Sequence, residues 1–157
     1  MLNVLFLCTH NSARSVLAEC VLNHLGGNRF HGFSAGSAPR GKVHPLAIDL
    51  CDSLGYDTRN LRSKSWDEFS GPAAPVIDIV VTVCDNAANE TCPLWPGQPM
   101  TAHWGIPDPS AVEGSDSARR AAFAEAHMKL YRRIETLTKL PIETLPLPAR
   151  KATLQEI

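Results

Sequence analysis

The chain begins with a short apolar segment, LNVLFL at residues 2–7, that ends directly at a cysteine. A run of this length that stops at loop residues is typical of a strand buried on both faces of a parallel sheet. The loop C-T-H-N-S-A-R-S at residues 8–15 comes next, and apolar positions at helical spacing follow over residues 13–25. The sequence therefore predicts a strand, a tight loop and a helix, with Cys8 where the strand ends.

The same alternation continues along the chain. Further strands are predicted at residues 29–35, at 76–83 and within TAHWGIPDP at 101–109, and further helices from Pro45 to Gly55, within SKSWDEF at 63–69 and along 115–140. Alternating strands and helices predict the α/β class, here as one domain with a central, mostly parallel four-stranded sheet flanked by helices. We expect this domain to span residues 1–140. Residues 141–157, with three of the twelve prolines, are expected to form a loosely packed tail.

The composition argues against several kinds of partner. The 157 residues suit one domain with a substantial core, and 44% apolar with 20% charged residues is ordinary for a globular chain. A formal net charge of −1 gives no reason to expect nucleic acid or an anionic membrane surface. No segment approaches the roughly 20 apolar residues of a membrane span, and the N-terminus lacks the pattern of a signal peptide. We expect a cytoplasmic protein.

The loop at residues 8–15 has the features of an anion site. Its backbone N–H groups are expected to face inward over a helix N-terminus, where unpaired donors and the helix dipole favour an anion. Arg14 adds a planar group that can hold two oxygens of a tetrahedral oxyanion. The residues expected to surround the oxyanion are Thr9, His10, Asn11, Ser12, Ala13, Arg14 and Ser15.

Cys8 is the candidate nucleophile of this loop. The same positive field is expected to lower its pKa, and the thiolate is the nucleophilic form of cysteine. Ser15 can donate to that thiolate, and Asn11 tolerates the left-handed backbone that such a loop requires. His10 either supplies an N–H group to the site or faces solvent. The alternative for Cys8 is a small buried apolar residue at a strand end.

Two other segments should meet this loop, because ligands of parallel sheets bind at the carboxyl ends of the strands. Cys84 directly follows the strand predicted at 76–83, and Asp108 lies in the IPDP loop after the last predicted strand. Asp108 is stiffened by a proline on each side and is a candidate general acid. Its alternative is a turn-forming aspartate before proline.

The five cysteines are Cys8, Cys20, Cys51, Cys84 and Cys92. An odd number without a secretory signal argues against a disulfide framework, and neither the cysteines nor the six histidines have the spacing of a metal site. Cys20 and Cys51 lie on apolar helix faces and are expected to pack in the core. Cys84 and Cys92 bracket a polar segment, CDNAANETCP.

Taken together, these motifs resemble the low-molecular-weight protein tyrosine phosphatases. The likeness rests on the C-x(5)-R-S loop, SAGS at residues 34–37 and the pair Asp108-Pro109. The fuller wording, CTHNSARS with VVTVC…CP and HWGIPDP, is more similar to the arsenate reductases built on that phosphatase fold. The resemblance covers roughly residues 2–139.

The resemblance implies reduction of arsenate, with phosphate or sulfate as analogues, and no bound cofactor. Cys8 would attack the oxyanion, Cys84 would form a disulfide with Cys8 and release arsenite, and Cys92 would attack Cys84. Asp108 would protonate the departing oxygen. An external thiol reductant, usually thioredoxin, would reset the enzyme. Cys84 and Cys92 are one residue farther apart than in thioredoxin-linked members, so glutaredoxin with glutathione is an alternative.

Some relatives bind a potassium ion beside the anion loop, and this resemblance extends to Asn11, Glu19 and Ser34. Lys64 stands where a further acidic ligand is expected. We expect its ammonium group to replace the ion, so that catalysis does not depend on potassium. The alternatives are a solvated Glu19 and a surface Lys64.

Two other functions are compatible with the motifs. One is phosphomonoester hydrolysis by Cys8, Arg14 and Asp108, and the other is a non-enzymatic oxyanion-binding module. Ser110 after the Asp-Pro pair, and an aromatic content of 6%, weigh against a phosphotyrosine platform. His103 and Trp104 are expected to pack beside the acid loop or orient it.

Overall fold

The fold is described by a computed structural model over residues 1–89, 95 and 99–157. Its sheet contains β1 (Leu2–Leu7), β2 (Phe30–Ala35), β3 (Ile79–Thr82) and β4 (Met100–His103). The strand order is β2-β1-β3-β4, and all three pairings are parallel. The predicted α/β class and four-stranded sheet are confirmed.

Five α-helices and three 3-10 helices surround the sheet in the described part of the chain. The α-helices are α1 (Arg14–Leu25), α2 (Pro45–Ser53), α3 (Asp85–Asn89), α4 (Asp116–Lys139) and α5 (Leu147–Glu156). The 3-10 helices are Trp66–Phe69, Pro109–Ala111 and Ile142–Thr144. Helix α1 packs on β1 and β2 and against α4, while α5 packs on β4.

The strand predicted over residues 76–83 is shorter in the structure. Ahead of β3, the Asp78 carboxylate accepts the Asn3 N–H at 2.7 Å, and the Asn3 amide donates to Val76 O at 2.8 Å. These side-chain bonds add to the backbone bonds of Asp78, whose N–H donates to Asn3 O at 2.9 Å and whose carbonyl accepts the Met100 N–H at 3.0 Å. Val76 is 59% exposed. The polar loop predicted after Cys84 was also partly wrong, because Asp85–Asn89 forms α3.

Cys20 and Cys51 lie in the core, as predicted. Their exposed fractions are 3% and 0%, and the two thiols, one on α1 and one on α2, lie close enough for each to shift the pKa of the other. Neither cysteine is available to solvent in this state.

The C-terminal residues are not loosely packed, which corrects the sequence prediction. Leu154 on α5 is fully buried, and its carbonyl accepts the indole N–H of buried Trp104 at 3.1 Å. The prolines did not suggest a helix in the sequence, but both lie where a helix tolerates them. Pro146 is the N-cap and Pro148 lies in the first turn, where a backbone N–H has no partner within the helix. The domain boundary predicted between residues 140 and 141 stays a prediction.

Leu154→Ala is expected to lower the free energy of unfolding by about 2–4 kcal/mol, because it removes buried methyl groups and leaves a cavity against β4. Urea denaturation measures this change. Leu147→Ala is the matched control, since Leu147 lies on the same helix with 65% exposure, and should shift stability by no more than about 0.5 kcal/mol. Equal effects of the two variants would contradict the packing of α5.

Within residues 1–89, 95 and 99–157, no helix combines the length and apolar character needed to span a bilayer.

Candidate active site

Hydrogen bonds from the segment at residues 38–44 fix the backbone of the anion loop. The carbonyls of Thr9, His10 and Ser12 accept N–H groups of residues 38–44 at 2.9, 3.1 and 2.9 Å. Because its carbonyls are turned outward, the loop can direct N–H groups toward its centre. Ala13 occupies the N-cap of α1 and has no side chain that could cap it. This arrangement favours an anion at the start of α1.

Asn11 locks the loop shape, as predicted. It is fully buried and has a φ of 45° in the left-handed region. Its amide donates to Ser15 Oγ at 2.8 Å and its side-chain oxygen accepts the Lys64 N–H at 2.9 Å. Asn11 therefore ties the loop both to α1 and to the segment that carries Lys64.

Gly36 of the SAGS motif has a steric role. A Cβ atom at this position would collide with the carbonyl oxygens of Cys8 and Thr9. Because these are backbone atoms, the strand end and the loop could not both keep their places with a side chain at residue 36.

Cys8 and Cys84 form a thiol pair at the carboxyl edge of the sheet. Both are buried, at 5% and 3% exposure. The Cys84 sulfur accepts N–H groups of Thr9 and Ala87, each at 3.4 Å, and lies close enough to the Cys8 thiol for each group to shift the pKa of the other. The cysteine predicted at the end of β3 thus lies beside the candidate nucleophile of the loop, Cys8.

The proton distribution in this pair differs from the sequence prediction. The hydrogen bond with Cys84 and burial raise the pKa of Cys8, and outweigh Arg14 and the His10 N–H, which lower it. The pKa of Cys84 falls to about 5, chiefly because of the hydrogen bond from Cys8, then the Thr9 and Ala87 N–H groups, against the opposing effect of burial. These directions favour Cys84 over Cys8 as the thiolate of the pair in the anion-free state, in contrast to the expected lowering of the Cys8 pKa.

Arg14 and Asp108 face each other across the cleft. Their side chains approach to 3.6 Å, and Arg14 also donates to Ile106 O at 3.0 Å. Asp108 Oδ1 accepts both the N–H and the hydroxyl of Ser110, at 2.9 and 2.7 Å. Although burial acts to raise it, the pKa of Asp108 is lowered by the Ser110 hydrogen bonds and by Arg14 and Arg40. Without an anion, Asp108 is therefore a carboxylate.

A cleft of about 500 Å³ joins these groups. It is lined by Arg14, Cys84, Asp108 and the first residues of α3 and of the acid loop. The predicted edge thus brings together the nucleophile loop, the second thiol and the candidate acid. Cys92 lies outside the described residues, so its place in the site stays a prediction.

The predicted supporting residues meet beneath the loop. Glu19 Oε1 accepts Ser34 Oγ at 2.7 Å and lies 3.7 Å from Lys64 Nζ, while Lys64 also donates to Arg62 O at 3.0 Å. Burial raises the pKa of Glu19 and lowers that of Lys64, and the attraction between the two groups opposes both shifts. The pair forms part of the lining of a groove of about 690 Å³ along β2, away from the catalytic cleft.

His10, His103 and Trp104 lie in three different environments. The His10 side chain is exposed, with Nδ1 3.2 Å from Ala38 O, while its backbone N–H reaches the Cys8 sulfur. Trp104 is fully buried, as packing requires. His103 does not contact the acid residue; its ring bonds Thr82 and Asp85.

Sequence reasoning missed Thr82 and Asp85, and it overlooked Ser110 as the residue that holds Asp108. Thr82 could have been identified from the β3–β4 strand register, in which it is paired with His103. Asp85 could have been noticed as the residue after Cys84. Among the described residues, no group of three or more histidine, cysteine or acidic side chains could hold a metal ion.

Comparison with known families gives a match over most of the chain. A family model described as low molecular weight phosphotyrosine protein phosphatase matches residues 3–145. An arsenate reductase of Halalkalibacterium halodurans is 34% identical over 136 residues, which is 87% of this chain and 94% of that protein. An arsenate reductase of Bacillus subtilis is 31% identical over 84% of this chain and 91% of that protein.

Solved structures show the same likeness. An arsenate reductase in the phosphate binding state superposes with a TM-score of 0.69 at 26% identity, over 88% of this chain and 98% of that one. A thioredoxin-dependent arsenate reductase of Corynebacterium glutamicum has a TM-score of 0.63 at 25% identity; the match covers 88% of this chain and 61% of the longer protein.

Proposed function

Because this chain belongs to the low molecular weight phosphotyrosine protein phosphatase family, and its relatives include arsenate reductases of closely similar length, we propose that it is an enzyme that reduces arsenate to arsenite. The observation that carries the proposal is that Cys84 meets the anion loop: the N–H of Thr9, the residue after Cys8, donates to the Cys84 sulfur at 3.4 Å. A hydrolytic phosphatase needs one thiolate, whereas two adjoining thiols can supply the two electrons that arsenate must accept.

The first step is attack of Cys8 on arsenic. Arsenate binds at the N-terminus of α1, with Arg14 holding two of its oxygens. Since the pKa directions favour the thiolate on Cys84, the Cys8 proton passes to Cys84 as the Cys8 sulfur forms its bond to arsenic. One arsenate oxygen leaves as water, and arsenic keeps its oxidation state of five in the adduct.

Asp108 is placed to supply a proton to the departing oxygen, but it must first acquire that proton. In the free enzyme Arg14 and Ser110 keep it ionised. A bound oxyanion engages the Arg14 guanidinium and adds negative charge nearby, and both changes raise the pKa of Asp108. Substrate binding thus prepares the acid.

The second step is the reduction. Cys84 passes its proton to an oxygen of the bound arsenic group, and its sulfur attacks the Cys8 sulfur to form the Cys8–Cys84 disulfide. The sulfur–arsenic bond breaks with its electron pair on arsenic, which leaves as arsenite in oxidation state three. Cys92 then attacks Cys84, releases Cys8 as a thiolate and carries the disulfide outward.

An external thiol reductant completes the cycle. Thioredoxin is the proposed reductant, because one structural relative is a thioredoxin-dependent arsenate reductase. Turnover by reversible thiol oxidation suits the reducing cytoplasm, which is the proposed compartment.

The function is tested by measuring arsenite formation from arsenate with thioredoxin, thioredoxin reductase and NADPH. The wild type should turn over many times, whereas Cys84→Ser and Cys92→Ser should stop after at most one arsenate per enzyme. Full multiple turnover by either variant would refute the relay. A high rate on an aryl phosphate without arsenite formation would identify a phosphatase instead.

Potassium is expected to leave the rate unchanged. The Lys64 ammonium lies 3.7 Å from the Glu19 carboxylate, in the place where a bound cation would pair with that carboxylate. Arsenite formation is measured with potassium or sodium chloride at one ionic strength. Lys64→Ala should reduce the rate by about 10-fold, because it leaves buried Glu19 without its positive partner and removes the Nζ bond to Arg62 O. Lys151→Ala, an exposed control, should not. A strong rise with potassium in the wild type would contradict the replacement.

A further inference from the structure

A polar cluster at the start of α3 has no part in the chemistry described so far. His103 Nε2 lies 2.9 Å from Asp85 Oδ1, and His103 Nδ1 lies 2.7 Å from Thr82 Oγ1. His103 thereby joins the end of β4 to the end of β3 and to the residue that follows Cys84. We call the His103–Asp85 contact the clasp.

The clasp holds a helix that has little stability of its own. Helix α3 contains five residues, Asp85–Asn89, and isolated helices this short do not persist in water. Asp85 is its first residue, and Ala87 in the same turn donates its N–H to the Cys84 sulfur at 3.4 Å. A displaced first turn would therefore remove one of the hydrogen bonds that Cys84 accepts.

The surroundings keep the clasp in one geometry. Thr82 and His103 are register partners on adjacent strands, so the imidazole is fixed at its Nδ1 side by a strand residue. At Gly105, an added Cβ would lie 3.1 Å from both Asp85 Oδ1 and His103 Nε2. A glycine there leaves the two atoms room to meet. An exposed ion pair usually contributes little to stability. Here the Thr82 hydrogen bond already orients the His103 ring, so less side-chain freedom is lost when the contact with Asp85 forms.

We propose that the clasp positions the first turn of α3 beneath Cys84, and that His103 is a positioning residue for the second thiol of the relay. The proposal rests on the proposed function, in which the Cys84 sulfur displaces arsenic from Cys8. His103 touches neither the oxyanion nor the two sulfurs. It acts by keeping the Ala87 N–H at Cys84, so its effect falls on the reduction step.

Single-turnover kinetics separate this role from general structural support. Reduced enzyme is mixed with arsenate, and arsenite release is followed by rapid quench, alongside arsenate affinity from protection of Cys8 against alkylation. His103→Leu and Asp85→Ala should each slow arsenite release about five-fold, the typical net effect of one lost hydrogen bond. Arsenate affinity should be unchanged in His103→Leu and should not weaken in Asp85→Ala, which removes a carboxylate from the lining of the cleft. Because the two residues act as one contact, the double variant should be no slower than the slower single variant.

Rescue and controls complete the test. His103→Gln presents an N–H close to the position of Nε2 and should restore most of the rate, whereas Asp116→Ala, which removes an exposed carboxylate on α4, should match the wild type. If either single variant misfolds, the Gln variant and the other single variant still decide. Wild-type arsenite release in both singles, additive losses, or failure of rescue would overturn the clasp. Full single-turnover release by Cys84→Ser would instead overturn the proposed relay, whatever the clasp variants do.

Discussion

Cys84→Ser is expected to make Cys8 more reactive toward alkylation at pH 7 while abolishing multiple turnover. Contact with Cys84 is the largest cause that raises the pKa of Cys8, and serine cannot supply a competing thiolate at that pH. Once it is removed, Arg14 and the His10 N–H act on Cys8 without that opposition, so more Cys8 is ionised. We expect alkylation of Cys8 to accelerate by about 10-fold or more, and arsenite production to fall by about 10³-fold.

Peptide mapping after timed treatment with iodoacetamide, from pH 4 to 9, measures this change. In the wild type, Cys84 has its pKa at about 5, so its thiolate is present above that pH and lost below it, and Cys84 should be labelled ahead of Cys8. Cys20→Ser is the matched control, because it removes a buried cysteine of α1 outside the cleft and should leave Cys8 labelling unchanged. Equal Cys8 labelling in wild type and Cys84→Ser would contradict the shared proton.

Arg14→Lys is expected to lower kcat/KM for arsenate by about 10³-fold, even though the charge is kept. A lysine presents one ammonium group and cannot hold two oxygens in the plane that the guanidinium provides. It also loses the hydrogen bond from Arg14 to Ile106 O, which fixes the acid loop against the anion site. Steady-state arsenite formation measures the loss.

Affinity and stability must be measured beside that rate. Sulfate protection of Cys8 against alkylation should weaken strongly in Arg14→Lys, while the urea midpoint stays within the range of surface variants. Arg120→Lys, which changes an exposed arginine on α4, is the control and should keep wild-type kcat/KM. A loss of less than about three-fold in Arg14→Lys would show that bidentate binding is not required.

The alternation of short apolar runs with helical patterns was enough to predict the sheet and its neighbours. Residues 2–7 and 14–25 form β1 and α1 within one residue of the predicted bounds, because burial on both faces leaves a strong signal. Leu130, Ile134 and Leu137 on α4 are buried as the 3.6-residue spacing predicts. Helix α5 was not predicted because the prolines of this segment are typical of an irregular tail. Its stability comes from packing on β4, which is not visible in the sequence.

The site was predictable where one short segment contains the chemistry. The anion-binding role of the loop from Cys8 to Ser15 could be predicted because its residues are adjacent in the sequence. Cys84 and Asp108 could be placed beside it because the carboxyl ends of parallel strands meet at one edge. The proton shared by Cys8 and Cys84 could not be predicted in this way, because it depends on two sulfurs from different strands coming into contact. The same holds for the Asp85–His103 contact, which joins residues 18 positions apart through strand register.

The central claim is that Cys8 and Cys84 together reduce arsenic. It is tested most directly in Cys92→Ser, which cannot pass the disulfide onward, by adding one equivalent of arsenate, blocking free thiols with acid and alkylating agent, and mapping disulfides by mass spectrometry. We predict a disulfide between the peptides that contain Cys8 and Cys84, in amounts equal to the arsenite released. Stoichiometric arsenite without that disulfide would contradict the account.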